Sequence, residues 1–320
     1  MKICYVKTGN DLYYDSIYTS YIDNENFELQ KEINQNTEAI ILGPGFLSDG
    51  GFESHKSLIL SNNYNNITKI LYLNKEYKNL NEKLNFIKNN KIDIVFTVHH
   101  DYKKWNKLCG EKTKFFKLPF AYNHNVFKDY SLDKNFDIGF TGNFFNAPVY
   151  KESSIMGPNF NNCRERIFKL LEDEKQLKDK NLKNIIGEGV YLKGEQYGKT
   201  INNTKIWIST PSAIDIVGTR FYEVMGCNTL LFAKYIPGIY DGIFEPDKHF
   251  VTFKDDLSDL IEKIIFYLEN DKERKEISNS GYTLVNKEHR WSNRSEAVYD
   301  ILKANNNNKA LIKNETIWKN

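Results

Sequence analysis

Short, nearly unbroken apolar runs punctuate the chain and alternate with longer polar stretches. In the first part they fall at 3–6, 38–45, 67–73, 92–98 and 114–118. Continuous apolar runs of this kind fit strands buried on both faces, and such strands belong to parallel sheets covered by helices. The second part repeats the pattern at 136–143, 185–190, 204–210, 228–233 and 248–253. Between and after these runs the spacing turns helical. Leu257, Leu260, Ile261, Ile264, Ile265 and Leu268 share one helix face, with Asp255 or Asp256 as the cap, and a further helix starts at Asp271. The polar stretch 130–135 reads as a linker. The pattern predicts an α/β chain of two Rossmann-like domains, 1–133 and 134–300, with a tail, 301–320, that packs on the first or frays. A length of 320 residues suits two domains.

Ligands of parallel sheets gather at the carboxyl ends of the strands. Three polar clusters stand there in the first domain: 7–10 (Lys-Thr-Gly-Asn), 43–45 (Gly-Pro-Gly) and 99–101 (His-His-Asp). Successive residues at a strand end point to opposite sides, so one of His99 and His100 faces the crevice, and the spacing does not choose between them. The second domain carries the densest chemistry, the stretch D-I-V-G-T-R-F-Y-E-V-M-G-C at 215–227. An apolar strand precedes it and Pro211 breaks that strand. Gly218 stands at the mouth of a short helix that Thr219 can cap. Free amides and the positive dipole end at such a mouth make an anion site. Arg220 sits inside it, Asp215 before the turn, and Glu223 one helical turn beyond Arg220. A phosphate on the amides would have a carboxylate on each side. That suits a nucleotide diphosphate-sugar, whose diphosphate needs amides and a guanidinium and whose diols need carboxylate acceptors.

Composition narrows the partners. With 44 basic and 42 acidic residues the net charge is +2, so no global field points to nucleic acid. Cys4, Cys109, Cys163 and Cys227 form no C-x-x-C pair, which points to neither disulfide frame nor zinc site, and to a reducing, cytoplasmic setting. No apolar run is long enough for a membrane span. Peripheral membrane contact stays open. No D-x-D triplet stands at a strand end, and the amide-plus-Arg phosphate site requires no metal and no other cofactor.

The 215–227 stretch resembles the signature of GT-B glycosyltransferases of the "group 1" type: an acid, seven residues with glycine among them, a second acid, then a helix of small residues. The wording R-F-Y-E-V-M-G-C is closest to the CgeB-like subfamily. The departure is Asp215 where the pattern has Glu, one methylene shorter. Further landmarks follow in order. The segment 118–127 resembles the interdomain element, 136–143 the strand that opens the donor domain and ends in a glycine loop, and 281–294 the closing Gly-His-Arg segment. In residues 1–135 the resemblance is one of layout only.

The resemblance implies two Rossmann-like domains facing a cleft, with the nucleotide-sugar donor on the second and the acceptor, a glycan, lipid-linked or protein hydroxyl, on the first. It implies an enzyme of polysaccharide or glycan biosynthesis, with a lean toward retention of anomeric configuration. It assigns Glu223 to the ribose hydroxyls and Asp215 to the donor sugar or its leaving diphosphate. Gly218, Thr219 and Arg220 take the phosphates, with Gly142 and Asn143 opposite, Tyr197 near the base, and His99 or His100 at the donor sugar. For Arg164 and Arg166 a solvated helix face is the simpler reading and phosphate contact the other. Two competing functions remain: a GT-B epimerase that eliminates and re-adds the diphosphate, and a nucleotide-sugar-binding protein without turnover.

Overall fold

The computed structural model describes residues 1–9, 12–60, 64–99, 102–110, 112–142, 144, 163–188, 192–211 and 215–306. The chain forms two compact units. One comprises Met1–Pro119 and the chain from Trp291 onward; the other is Phe120–Arg290. Each is an α/β domain of Rossmann type built on a wholly parallel sheet.

In the first unit the strands are β1 (Lys2–Val6), β2 (Glu28–Leu29), β3 (Ala39–Leu42), β4 (Thr68–Leu73), β5 (Ile94–Thr97) and β6 (Lys114–Lys117), ordered β2-β1-β3-β4-β5-β6. The expected runs at 3–6, 38–45, 67–73, 92–98 and 114–118 all became strands. The two-residue β2 has no apolar run to announce it; it adds to the edge of β1 with Lys2 opposite Glu28. Alternate residues of the central strands serve two cores. Ile40, Leu42, Leu71, Leu73 and Val95 pack with Leu84 and Ile87 of a helix, α3 (Leu80–Asn89). The opposite face carries aromatic rings: Tyr5 meets Tyr21 of α1 (Leu12–Ile22) at 5.0 Å between centroids.

Two short helices, α2 (Asp49–His55) and α4 (Lys103–Cys109), complete this unit with a helix from the far end of the chain, which we number below as α11 (Trp291–Asn306). Trp291 sets its ring edge on Tyr13, and Tyr299 on Phe27. The buried Arg294 donates from Nε to the carbonyl of Pro119 at 2.8 Å. The division therefore falls at 119 and 290 where the sequence pattern put 133 and 300. The intervening segment is hydrogen-bonded into the second unit: Tyr122 N–H donates to His289 at 3.2 Å, and Asn202 and Asn228 donate to Asp129.

The second unit contains β7 (Phe136–Gly142), α5 (Cys163–Asp173), α6 (Lys175–Lys178), β8 (Asn184–Glu188), α7 (Gly194–Asn202), β9 (Thr204–Ser209), α8 (Thr219–Gly226), β10 (Leu230–Lys234), β11 (Val251–Phe253), α9 (Leu260–Glu269) and α10 (Asp271–Glu288). Its strand order is β8-β7-β9-β10-β11. The first strand of the unit is thus flanked by the second and the third, as in the first unit. The chain reverses its direction of winding between β7 and β9, and a crevice opens there at the strands' carboxyl ends. Two expectations shift. The strand predicted from 248 starts at Val251, because Glu245 N–H donates to the His249 ring and Pro246 bridges to Phe250 in a turn ahead of it. The helix expected behind Asp255 or Asp256 starts at Leu260. Asp256 accepts from Ser258 N–H and Asp259 from Lys254 N–H, which satisfies the turn amides locally and delays the helical ladder. The loop expected at 144–161 lies outside the described residues except for Phe144, as does the tail beyond 306. Among the described residues no helix is long and apolar enough to cross a membrane, and the four cysteines are unpaired.

Helix α10 fixes α8 from behind. Its buried stripe is Arg274, Ser278, Gly281 and Val285, at alternating steps of four, three and four. A Cβ at Gly281 would lie 2.4 Å from the carbonyl oxygen of His249 and 3.0 Å from Met225 Sδ of α8. Gly281→Ala should therefore destabilise the protein by about 1–3 kcal/mol through overpacking, read as a lower denaturation midpoint. An unchanged midpoint would mean that the contact can relax freely.

Candidate active site

Helix α8 begins at the crevice between β7 and β9. Its N-cap is Gly218, in extended geometry (φ −78°, ψ 170°), and Thr219 is the first helical residue. The expected Thr219 cap is thus replaced by a residue with no side chain. Nothing lies within 4 Å of a Cβ built on Gly218, so the helix mouth opens into space. Glycine is not needed there for its backbone angles; it leaves the first amides accessible. The Thr219 hydroxyl is instead turned to the Glu223 carboxyl, one helical turn on.

Arg220 reaches across the crevice and donates from Nη1 to the carbonyl of Thr141, at the end of β7, at 2.6 Å. The next residue, Gly142, has φ +140°, a conformation that a side chain would strain, and an added Cβ there would come to 3.4 Å from the same Nη1. The guanidinium lies 5.6 Å from the ring centre of Tyr197, on α7, a cation–π contact. Tyr197 is buried, edge-on to Phe127 and near the Trp207 ring, and its hydroxyl has no well-formed hydrogen bond. Burial pushes that hydroxyl up to about 12, against the pull of Arg220. Glu223 keeps some accessible surface, yet the protein crowding its carboxyl pushes its pKa up to about 7; Arg220 and the Thr219 hydroxyl pull the other way without cancelling the loss of water.

Of the residues singled out in the sequence, Gly142, Tyr197, Gly218, Thr219, Arg220 and Glu223 come together at this crevice. Asp215 stands exposed in the loop before α8, at φ +54°; burial first and the Asp215 charge second raise the pKa of the Tyr240 hydroxyl. His99 belongs to the first unit, buried at the end of β5, its ring edge-on to Trp105 at 5.7 Å and its N–H on Thr97 Oγ1 at 3.1 Å. His100 and Asn143 lie outside the described residues.

Arg164, for which a solvated face was the simpler reading, donates from Nε to Thr210 Oγ1 at 2.8 Å. Ile138 and Gly139 of β7 face Ile206 and Trp207 of β9, and the same register carried forward sets Gly142 beside Thr210. Two guanidiniums are therefore anchored on adjacent strand ends. Arg164 lies 56 positions before Arg220 on another helix, so no local spacing could pair them. Among the described residues no group of three or more His, Cys, Asp or Glu is placed to hold a metal ion.

Glu223 gives a signed pH prediction. Its folded pKa of about 7 lies above the ordinary 4.5, so the native state keeps a proton that the unfolded chain has released between those values. Stability should fall as pH rises through that window. Glu223→Gln should remove this slope and stabilise the unliganded protein at pH 8 by about 1–3 kcal/mol, as read by thermal midpoints at pH 5 and 8. Equal midpoint changes at both pH values would place the proton elsewhere.

A family model described as "Glycosyl transferase-like" matches residues 164–300. No curated protein matches the chain. Solved structures do. Sucrose-phosphate synthase from Thermosynechococcus elongatus is 13% identical, with 85% of this chain and 75% of that one covered and a TM-score of 0.54. Anabaena HepE in complex with UDP and glucose is 11% identical over 95% of this chain and 99% of that one, at a TM-score of 0.59. An alpha-glucosyltransferase in complex with UDP-glucose and DNA containing an abasic site is 12% identical, with coverage of 95% and 99% and a TM-score of 0.58. At such identities the likeness is one of fold: two Rossmann-like α/β domains of the GT-B kind.

Proposed function

We propose that the protein is a glycosyltransferase that moves a sugar from a nucleotide diphosphate-sugar to a glycan, lipid-linked or protein hydroxyl. The observation that carries this reading is the open mouth of α8, with Arg220 poised over it and Glu223 one turn behind. A positive side chain in the first turn opposes the helix dipole and is a poor choice for stability alone. The choice makes sense when an anion docks between them. The fold-level neighbours include complexes with UDP and UDP-glucose, which supports a nucleotide-sugar as the ligand class.

In this reading the diphosphate sits on the amides of Thr219 and Arg220 and on the guanidinium, with Gly142 and Asn143 opposite. Glu223 accepts from the ribose hydroxyls, and Tyr197 lies toward the base. Asp215 faces the donor sugar or its leaving group. The bond from the anomeric carbon to the diphosphate breaks, a bond to the acceptor oxygen forms, and the acceptor's proton leaves on the departing diphosphate. Fixed amides and guanidinium stabilise the charge that builds on the leaving group. The acid–x7–acid spacing favours retention of anomeric configuration, and the R-F-Y-E-V-M-G-C wording favours a CgeB-like enzyme. His99 or His100 is the first unit's contribution to catalysis.

Calorimetric titration with UDP and with uridine tests the phosphate site. Arg220→Lys should weaken UDP binding, because a point charge copies paired guanidinium bonds badly, and Arg220→Ala should weaken it more, by about 10-fold or greater. Uridine should bind all three forms alike. Equal losses for both ligands would make Arg220 a support of the pocket's shape, and no loss for either would remove it from the site.

A second measurement addresses the leaving group. Release of UDP from UDP-glucose should persist within about 2-fold in excess chelator, since charge stabilisation rests on protein donors. Abolition by chelator with recovery on adding Mg²⁺ or Mn²⁺ would overturn the phosphate-site assignment.

A further inference from the structure

The loop after β4 holds an acid with no obvious reason to be there. Glu76 is fully buried, and burial drives its carboxyl toward the protonated form. One of its oxygens, Oε1, bonds to the Thr97 hydroxyl, and the other, Oε2, is buried without a partner. Lys83 sits close enough to pull the acid back toward ionisation, but its ammonium donates to the carbonyls of Asn74 at 2.7 Å and Lys75 at 2.9 Å, so it braces the loop itself. Burying such a group costs stability, and an apolar residue of similar size would pack there more favourably.

Its single well-made bond leads to the strand end. Thr97 is the last residue of β5, and its Oγ1 does two things at once. It donates to Glu76 and accepts the N–H of His99 at 3.1 Å. Glu76 therefore orients the hydroxyl, the hydroxyl fixes the backbone at His99, and His99 is held with its ring on Trp105. The same loop reaches the other way: Asn74 Nδ2 donates to the carbonyl of Pro44, in the Gly-Pro-Gly turn after β3, at 3.5 Å. The segment after β4 thus makes polar contacts with the strand-end segments after both β3 and β5.

We propose that Glu76 and Thr97 are positioning residues that set the direction of His99 at the carboxyl end of β5. This rests on the reading of the histidine pair as a catalytic contribution. Oε1 of Glu76 accepts from the rotatable Thr97 hydroxyl, which commits that hydroxyl to one direction and leaves its lone pair for the His99 amide.

The test combines turnover, taken as release of UDP from UDP-glucose, with amide hydrogen exchange at 97–102, which needs no activity. Thr97→Val removes both bonds and should lower kcat at least 10-fold, with the donor KM within 2-fold, and should speed exchange of the His99 amide. Thr97→Ser restores the hydroxyl and should recover both readouts. Glu76→Gln keeps an acceptor and should resemble Thr97→Ser; Glu76→Ala should resemble Thr97→Val. In a His99→Ala, His100→Ala background, Thr97→Val should cost no further turnover. The same kcat loss in that background, or loss of kcat with the His99 amide still protected, overturns the proposal. If the double histidine variant turns over as fast as the parent protein, the catalytic reading of the histidines fails first, whatever the exchange data show. Should Glu76→Ala not fold, the Thr97→Val and Thr97→Ser pair decides the outcome by itself.

Discussion

Arg220 donates to the Thr141 carbonyl, and much of the second unit is arranged so that it can. The carbonyl is available because β7 ends there and Gly142 turns the chain away at φ +140°. The guanidinium is in reach because α8, after a connection of nine residues, follows β9, the strand beside β7. Placing a cation at a helix N-terminus costs electrostatic energy, and the bond to a backbone acceptor offsets part of it. Helix α10 closes on α8 through Gly281, so the helix cannot drift from the strand ends. Core packing on one side and a single polar bond on the other hold the helix mouth open and fixed.

That fixed geometry sets the chemistry of its neighbours. Glu223 follows Arg220 by one turn and shares its surroundings, yet the guanidinium does not keep the acid ionised against the loss of water, and its pKa stands at about 7. Tyr197 stacks against the same guanidinium from α7, with its hydroxyl lacking a good partner. An arginine at a helix mouth, an acid near its titration point and a buried phenol without a well-formed hydrogen bond are all costs to stability. In the proposed function a ligand that carries anionic oxygens and hydroxyl groups together relieves all three, so that reading treats them as one site. In the first unit, Glu76 is likewise buried at a cost, and its proposed role is to place a strand end.

The hydrophobic pattern by itself determined the number of domains, the parallel character of both sheets and ten of the eleven strands among the described residues, because a strand buried on both faces must be apolar throughout. It missed β2, whose two residues pair at an edge and bury little. The motif at 215–227 was legible for a similar reason: a strand, a turn, a glycine and a short helix are local objects, and Arg220 and Glu223 stand one turn apart in any helix. What only the tertiary structure decided is every relation across the sheet. That Arg220 meets Thr141, 79 positions earlier, depends on β7 and β9 being neighbours. That Arg164 ends on Thr210 depends on the same adjacency, and its helical context alone suggested solvent. The raised pKa of Glu223 reflects how much protein surrounds it, a quantity that spacing cannot report. The place of Trp291 and Arg294 in the first unit follows from side-chain packing against α1 and a bond to Pro119, contacts between residues more than 170 positions apart in sequence. Local patterns specify elements because backbone bonding and side-chain period are local; sites and domain boundaries emerge from which elements the packing brings together.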